Sequence, residues 1–346
     1  MIALQDMGHK RLAIEAGEDP KHNPIEYILE SMNTIYSIKH KNGAIRRVNV
    51  NIAATTVDEY RMLKEAEIGT YILFQETYHK ESYQRLHPTG PKSDYNWHTE
   101  AMDRAMEGGI DDVGLGVLFG LEGYRYEFAG LLMHAEHLEA VHGVGPHTIS
   151  VPRVKPAMDI NPDEFDNGIP DEMFEKLIAL IRISVPYTGM IISTRESQTV
   201  REHALQYGIS QISGGSRTSV GGYVEEQRPH DTEQFDVSDQ RTLDEVISWL
   251  LDNNHIPSFC TACYREGRTG DRFMSLAKRG QIVNCCAPNA LITLKEYLQD
   301  YASEPTKAKG VEMIRQEIAK VPNPAIRERA ERFLQEIEQG ARDFRF

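Results

Sequence analysis

All four cysteines of this 346-residue chain lie between residues 260 and 286, at a spacing that suits metal chemistry. Cys260 and Cys263 form a Cys-x2-Cys pair, and Cys286 follows after 22 further residues, directly behind Cys285. The pair can direct two thiolates at one metal or cluster, and Cys286 adds a third. Three thiolates suit an iron–sulfur cluster with one open iron. A zinc site completed by Cys285 or His255 has the same signature, and three packed structural thiols are a further alternative.

The composition excludes some classes of partner. With 38 basic and 52 acidic residues the formal charge is −14, which disfavours binding to nucleic acid or to an anionic membrane. No apolar run of 18 residues and no signal-peptide pattern is present, so we predict a cytoplasmic protein. In that compartment clustered cysteines bind metals more often than they form disulfides.

Seven short apolar segments alternate with amphipathic helical segments, and this alternation predicts a parallel sheet with crossover helices. The segments are centred near residues 10, 48, 72, 115, 150, 191 and 211. A (β/α)8 barrel of the TIM type has eight strands, and the opening stretch MIALQDMG has the character of the end of a helix. We therefore expect a barrel that lacks its first strand and helix. The alternatives are an open seven-stranded sheet or a strand that escapes the pattern.

The sequence also predicts two domains. Residues 1–225 would form the partial barrel, with strands 2–8 of the eight, and residues 226–346 a mostly helical domain that carries the cysteines. A barrel without its first strand has two exposed sheet edges, which predicts self-association.

Polar residues follow several predicted strands at their carboxyl ends, where barrels place their catalytic groups. In a shared pocket they would suit a zwitterionic ligand, whereas singly each could be a turn, a helix cap or an ion pair. A glycine-rich loop with Ser216 and Arg217 could add an anion-binding nest. The strand-end candidates are Gly17, Glu18 and Asp19, then Gln75, Glu76 and Tyr78, then Ser193 and Arg195, with Glu196 beside them.

Several of these motifs occur together in one known family. The stretches FCTACYREGRTGDRF, AGEDP, FQETY, GVLFGL and MIISTRES, with a third cysteine 23 positions after the second, resemble the HydG family. HydG proteins are the tyrosine lyases among the [FeFe]-hydrogenase maturases. They belong to the radical SAM enzymes and are similar to the ThiH tyrosine lyases of thiamine synthesis. The resemblance covers essentially the whole chain.

The resemblance implies a radical SAM barrel and a particular chemistry. A first [4Fe-4S] cluster cleaves S-adenosylmethionine (SAM), and the radical formed splits L-tyrosine into p-cresol and dehydroglycine. The fragment becomes CO and cyanide at an auxiliary [4Fe-4S] cluster with an extra iron. The implied partners are L-tyrosine, SAM, iron, cysteine and the other hydrogenase maturases.

The resemblance also implies a role for individual residues. The auxiliary cluster would be bound by Cys260, Cys263 and Cys286, with Cys285 a bystander, and the extra iron by His137 as first choice or His147 as second. Tyrosine would be held by Ser193 and Arg195, with Gln75 and Tyr78 nearby, and SAM by Gly17, Glu18, Asp19, Glu76, His98 and Arg104.

The chain departs from the family at one point, because it contains no Cys-x3-Cys-x2-Cys loop for the first cluster. We therefore expect these 346 residues to be unable to start the radical reaction. Two other functions stay open at this stage. One is a non-catalytic iron–sulfur module or carrier, and the other is a ThiH-like lyase.

Overall fold

The computed structural model describes residues 1–157, 160–219, 221–224 and 237–346. The strands are β1 (Arg11–Glu15), β2 (Lys39–His40), β3 (Gly43–Ala44), β4 (Arg47–Asn51), β5 (Tyr71–Ile72), β6 (Val113–Gly116), β7 (Thr148–Ser150), β8 (Gly189–Ile192) and β9 (Gln211–Ile212). The helices are α1 (Ile2–Asp6), α2 (Ile25–Ser37), α3 (Val57–Glu65), α4 (Lys80–Leu86), α5 (Tyr95–Thr99), α6 (Ala101–Glu107), α7 (Tyr124–His142), α8 (Asp171–Ser184), α9 (Gln198–Tyr207), α10 (Leu243–Asp252), α11 (Gly270–Lys278), α12 (Val283–Asp300), α13 (Glu304–Ile318) and α14 (Pro324–Glu338).

Seven of the strands form one curled parallel sheet, a half-barrel, in the order β1-β4-β5-β6-β7-β8-β9. Within the described residues β1 and β9 are its edge strands, and β2 and β3 form a separate antiparallel hairpin. Each of the seven strands coincides with one of the predicted apolar segments. The predicted barrel-type parallel fold is therefore confirmed.

The central strands are short and buried on both faces, as expected for a parallel sheet covered by helices. All four residues of β6 are buried, and two of them are glycines that allow close packing. A Cβ at Gly116 would lie 2.5 Å from the Phe74 ring, and one at Gly114 would lie 2.6 Å from the Thr148 hydroxyl. Substitution at either glycine would therefore force its neighbours apart.

Some helices begin at a side-chain cap, and the amphipathic helices bury one apolar face. A capping box of Thr56 and Glu59 opens α3, and one of Thr242 and Glu245 opens α10. Helix α8 buries its residues Phe174, Leu177, Ile178 and Ile181, which follow the helical period. None of the helices in the described part of the chain has the length and apolar character that crossing a bilayer requires.

The chain divides into two compact units. Unit 1 comprises Met1–Leu12, Thr34–Arg47 and Arg241–Phe346, and unit 2 comprises Ala13–Asn33 and Val48–Gln240. Leu291, Leu294, Tyr297 and Leu298 of α12 form the centre of the unit 1 core. The domain boundary predicted at residues 225 and 226 stays a prediction, because residues 225–236 lie outside the described part of the chain.

Candidate functional site

The cysteine loop of unit 1, residues 258–268, has an unusual backbone. Phe259 and Cys260 are consecutive residues with positive φ angles of 53° and 50°, although neither is glycine. A residue of this kind costs about 1–3 kcal/mol and persists only where its surroundings fix it. A short 3₁₀ turn, Cys263–Glu266, follows, and Gly267 closes it in the left-handed conformation. The loop therefore holds Cys260 and Cys263 in a defined arrangement.

The third cysteine approaches this loop from the first turn of α12. The thiol of Cys286 donates a hydrogen bond to Cys263, and this contact is the main reason why the pKa of Cys263 falls to about 6. Burial opposes that shift, while the guanidinium groups of Arg268 and Arg47 support it. The pKa of Cys286 is raised, first because it donates to Cys263, and the charges of Cys260 and Cys263 act in the same direction. The three predicted ligands are therefore gathered in one place.

Two arginine side chains lie next to the cysteine sulfur atoms, Arg47 at Cys260 and Arg268 at Cys263. Arg47 donates from Nη1 to the sulfur of Cys260 over 3.3 Å and to the carbonyl oxygen of Cys260 over 3.0 Å. Arg268, which lies beside Cys263, also donates to the backbone oxygen of Phe346. Positive charge and N–H donors stabilise thiolate, the form of cysteine that binds metals.

The last residues of the chain brace the same loop. Nη1 of Arg265 donates to both carboxylate oxygens of Asp343, at 2.9 and 2.8 Å, and Arg345 donates to Glu266 over 2.9 Å. Phe344 stacks on Phe333 of α14 with 4.2 Å between the ring centroids. The last residues of the chain thus connect the cysteine loop, through Arg265 and Glu266, to helix α14 of unit 1.

The donor set fits an iron–sulfur cluster. Within the described residues no group of three or more His, Cys, Asp or Glu side chains is arranged to close around one metal ion. A closed zinc site would need four ligands directed at a single point. A cluster instead takes its thiolates on separate irons, so the three neighbouring cysteines suit it. All four cysteines are free thiols.

In unit 2, two of the predicted SAM ligands lie together at the carboxyl ends of β1 and β5. Lys92 donates to the carboxylate of Glu76 over 2.6 Å. The backbone N–H of Lys92 bonds to Glu18, whose pKa is raised by burial and pulled back by the charge of Lys92. Two carboxylates facing one ammonium group can accept hydrogen bonds from an amine or from ribose hydroxyls. Gly17 precedes Glu18 and has open space beside its Cα.

Other predicted ligands make local contacts. Asp19 bonds to the backbone and ring of His22, as a residue that stabilises its own turn does. Tyr78 is buried and its hydroxyl lies 3.0 Å from Nδ1 of His134. The remaining contacts of this group are those of Gln75 with Thr99 (2.9 Å), His98 with the Phe74 carbonyl (2.8 Å), and Arg104 with the Thr55 carbonyl (2.9 Å).

The segment after β8 combines a predicted ligand with a buried ion pair. Arg195 donates from Nη2 to the carbonyl oxygens of Lys155 and Pro156, at 3.0 and 2.8 Å, and its N–H bonds to the hydroxyl of Ser193. Glu196 is 2% exposed and pairs with Arg153 and Lys155. Arg195 and Ser193 therefore lie at the carboxyl edge of the sheet, whereas Glu196 joins this segment to the one after β7.

The two predicted iron ligands have different surroundings. His137 is exposed on α7 and bonds to Asp103 over 2.8 Å. His147 is 5% exposed and directly precedes β7, with its Nδ1 3.4 Å from the carboxylate of Asp112. Neither histidine lies at the carboxyl edge of the sheet.

In the predicted glycine-rich nest, Arg217 donates to the carbonyls of Ser216 and Gln240.

Sequence reasoning missed Lys92 and Arg47. Lys92 lies in a 3₁₀ turn, Pro91–Ser93, outside any periodic segment, so no pattern indicated it. Arg47 begins a buried strand and is only 1% exposed. The sequence did contain one signal for Arg47, its position directly before an apolar segment. A charged residue buried at such a position needs a hydrogen-bonding or charged partner inside the protein.

Three histidines predict a pH-dependent stability: His98 is buried, and His9 and His134 each have a buried ring nitrogen. Burial is the main cause that lowers the pKa of His9, His98 and His134 from 6.5 to about 4. Between pH 6.5 and pH 4 these imidazoles bind protons in the unfolded chain but not in the folded chain. The free energy of unfolding therefore decreases as the pH falls from 6.5 to 4. We expect a loss on the order of 1–3 kcal/mol for each histidine.

Urea unfolding at pH 7 and pH 4.5 checks this, with His98→Gln as the diagnostic variant. The variant should lose less stability than the parent chain between the two pH values. An equal loss in both would show that His98 is not one of the groups responsible.

The fold and the three gathered cysteines define a parallel half-barrel of the TIM type with an added cysteine centre. Residues 150–256 match the model of the Biotin and Thiamin Synthesis associated domain. Two 2-iminoacetate synthases, from Salmonella typhimurium and Escherichia coli, are 27% and 28% identical over 250 residues, which is 72% of this chain. The chain spans 63% of the length of these curated relatives.

Solved structures give a closer match. The crystal structure of HydG, a maturase of the [FeFe]-hydrogenase, superposes with a TM-score of 0.96 at 57% identity, over 99% of this chain and 75% of that one. HydG from Carboxydothermus hydrogenoformans gives a TM-score of 0.80 at 40% identity, over 96% and 72% of the two chains. Methylornithine synthase, at 15% identity and a TM-score of 0.54, shares the fold alone. The chain belongs to the HydG family of [FeFe]-hydrogenase maturases.

Proposed function

We propose that the chain is the tyrosine-cleaving part of a HydG-type maturase, which makes CO and cyanide for the [FeFe]-hydrogenase active site in the cytoplasm. The observation that supports this most is the gathering of Cys260, Cys263 and Cys286 in one arginine-lined site. These cysteines would hold an auxiliary [4Fe-4S] cluster, which supplies an open iron when bound. Other maturases would receive the product.

Unit 2 would bind the two organic substrates. Glu18 and Glu76, which face Lys92, would accept hydrogen bonds from the amino group and the ribose of SAM. Arg195 and Ser193 would hold the carboxylate of L-tyrosine, and the planar guanidinium suits such a group. Gln75, Tyr78, His98 and Arg104 would support these ligands through the local contacts described above.

Both histidines stay proposals for the extra iron, with His137 as first choice and His147 as second. The Nδ1 atom of His147 lies 3.4 Å from the buried carboxylate of Asp112. His137 bonds instead to Asp103 at the surface of α7.

We also propose that these 346 residues alone do not start the reaction. They contain four cysteines, all between residues 260 and 286, and hence no Cys-x3-Cys-x2-Cys loop for the SAM-cleaving cluster. The same observation favours the second candidate function, a non-catalytic module that binds or carries iron and sulfide. Such a module would have no need of a tyrosine site.

Tyrosine binding separates the two functions. In titration calorimetry with SAM present, we expect the parent chain to bind L-tyrosine and Arg195→Ala to bind about 2 kcal/mol more weakly, because a charged hydrogen-bonding partner is lost. Arg182→Ala is the matched control. Its guanidinium also donates to backbone carbonyls, those of Gly208 and Thr188, but Thr188 precedes β8 at the other end of the strand.

The control variant should lose stability and keep its tyrosine affinity. If the parent chain showed no tyrosine binding, the module would be the better description. Equal affinities for the parent chain and Arg195→Ala would remove Arg195 from the site.

A further inference from the structure

We propose that Arg47 is a positioning residue for the auxiliary cluster, which it holds at a raised reduction potential through the sulfur of Cys260. This inference rests on the proposed function, since it requires a cluster on the three cysteines. It concerns a residue that no cysteine spacing indicates, 213 positions before Cys260 in the chain.

The contacts of Arg47 converge on the cysteine loop. One amino group, Nη1, donates to both the sulfur and the carbonyl oxygen of Cys260, at 3.3 and 3.0 Å. The other, Nη2, donates to the hydroxyl of Tyr264 over 2.7 Å, and the guanidinium carbon lies 3.8 Å from the centroid of the Tyr264 ring. Arg47 is 1% exposed, so these interactions are shielded from water. A single side chain thus bridges Cys260 and Tyr264, the residue that directly follows the Cys-x2-Cys segment.

The strained backbone gives this contact its positioning role. Phe259 and Cys260 both have positive φ angles, and the direction of the Cys260 side chain depends on them. The bond from Arg47 to the Cys260 carbonyl fixes the peptide that follows, while Phe259 packs against Tyr297 with 5.8 Å between the ring centroids. Contacts with Arg47 and Tyr297 therefore fix the strained backbone of Phe259 and Cys260, and such a conformation persists only where its surroundings fix it.

A second arginine concentrates positive charge at the same point. Arg11, the first residue of β1, lies close enough to Arg47 for their positive charges to repel each other. A bound cluster adds negative charge where two guanidinium groups meet. Hydrogen bonds to sulfur and nearby positive charge both favour the reduced cluster, so they raise its reduction potential.

Redox titration of the anaerobically reconstituted chain, followed by EPR, tests the inference. Arg47→Met keeps the volume and removes the charge and the donors, so we expect the equilibrium constant for cluster reduction to fall about tenfold, or 59 mV for a one-electron couple. Arg47→Lys keeps the charge without the planar fork and should recover part of the shift. Tyr264→Phe, which removes only the hydroxyl that holds the guanidinium, should shift the potential less but in the same direction.

Arg272→Met is the matched control. Its guanidinium donates to the carbonyls of Glu266 and Gly267 in the same loop, at 3.3 and 3.2 Å. It should leave the potential unchanged, although it removes the same charge from the loop.

The outcomes separate the inference from the proposed function. A parent chain that takes up no iron and sulfide contradicts both. A loaded parent chain whose potential is the same in Arg47→Met overturns the inference alone. If Arg47→Met holds no cluster, Tyr264→Phe decides, and an unchanged potential in that variant overturns the inference.

Discussion

Replacing Cys263 by serine is expected to abolish cluster binding, so that bound iron falls from about four per chain to less than one. Cys263 is buried and accepts hydrogen bonds from Cys286 and Arg268, so it is the best-held thiolate of the three. A serine hydroxyl at this position is a harder and more weakly acidic ligand than a thiolate, which iron in clusters prefers. Iron and sulfide analysis after anaerobic reconstitution measures the effect.

Cys285→Ser provides the matched control, because Cys285 is adjacent to a proposed ligand without being one. Cys285 and Cys286 are consecutive residues in the first turn of α12, and consecutive helical side chains point about 100° apart. The control variant should therefore retain its iron and sulfide. The assignment of the three ligands fails if Cys263→Ser stays fully loaded, or if the control loses as much iron as Cys263→Ser does.

The second large effect concerns the fold of unit 2. Arg201 and Asp239 form an ion pair whose side chains are both 0% exposed, and Arg201 also donates to the carbonyl oxygen of Ser213. Removal of one partner leaves a buried charge uncompensated, which typically costs about 3–5 kcal/mol. We therefore expect Arg201→Met to lower the free energy of unfolding by this amount.

The control lies on the same helix. His203 of α9 pairs with Glu175 at the surface, with its side chain 49% exposed, and such pairs contribute about 0–1 kcal/mol. Urea unfolding followed by circular dichroism should show a small change for His203→Ala and a large one for Arg201→Met. Similar midpoints for Arg201→Met and the parent chain would mean that Asp239 finds another partner.

The order of strands and helices was accessible from the sequence because burial imposes a period on it. A segment such as Val113–Gly116 is apolar throughout, since both faces of its strand are covered. The hairpin of β2 and β3 was not predicted, because two-residue strands are too short to show any alternation. The short helices α4, α5 and α6 were missed for the same reason.

Residues of the candidate site could be predicted only where their spacing in the sequence forms a motif. Cys260, Cys263 and Cys286 form a motif, and the structure gathers them. Arg47 and Lys92 have no motif. In unit 1 the fold brings Arg47 to Cys260 from 213 positions away, and in unit 2 it brings Lys92 to Glu76 from 16 positions away. Histidine ligands were the hardest to choose, since the sequence does not separate His137 at a helix surface from His147, buried beside a carboxylate.

We propose above all that the thiolates of Cys260, Cys263 and Cys286 in unit 1 bind an iron–sulfur centre. The most direct measurement is combined metal and sulfide analysis of the anaerobically reconstituted chain, with EPR after reduction. We predict about four irons and four sulfides per chain, or five irons with the extra one, and an EPR signal typical of a reduced [4Fe-4S] centre. Zinc without sulfide, or no metal at all, would contradict it.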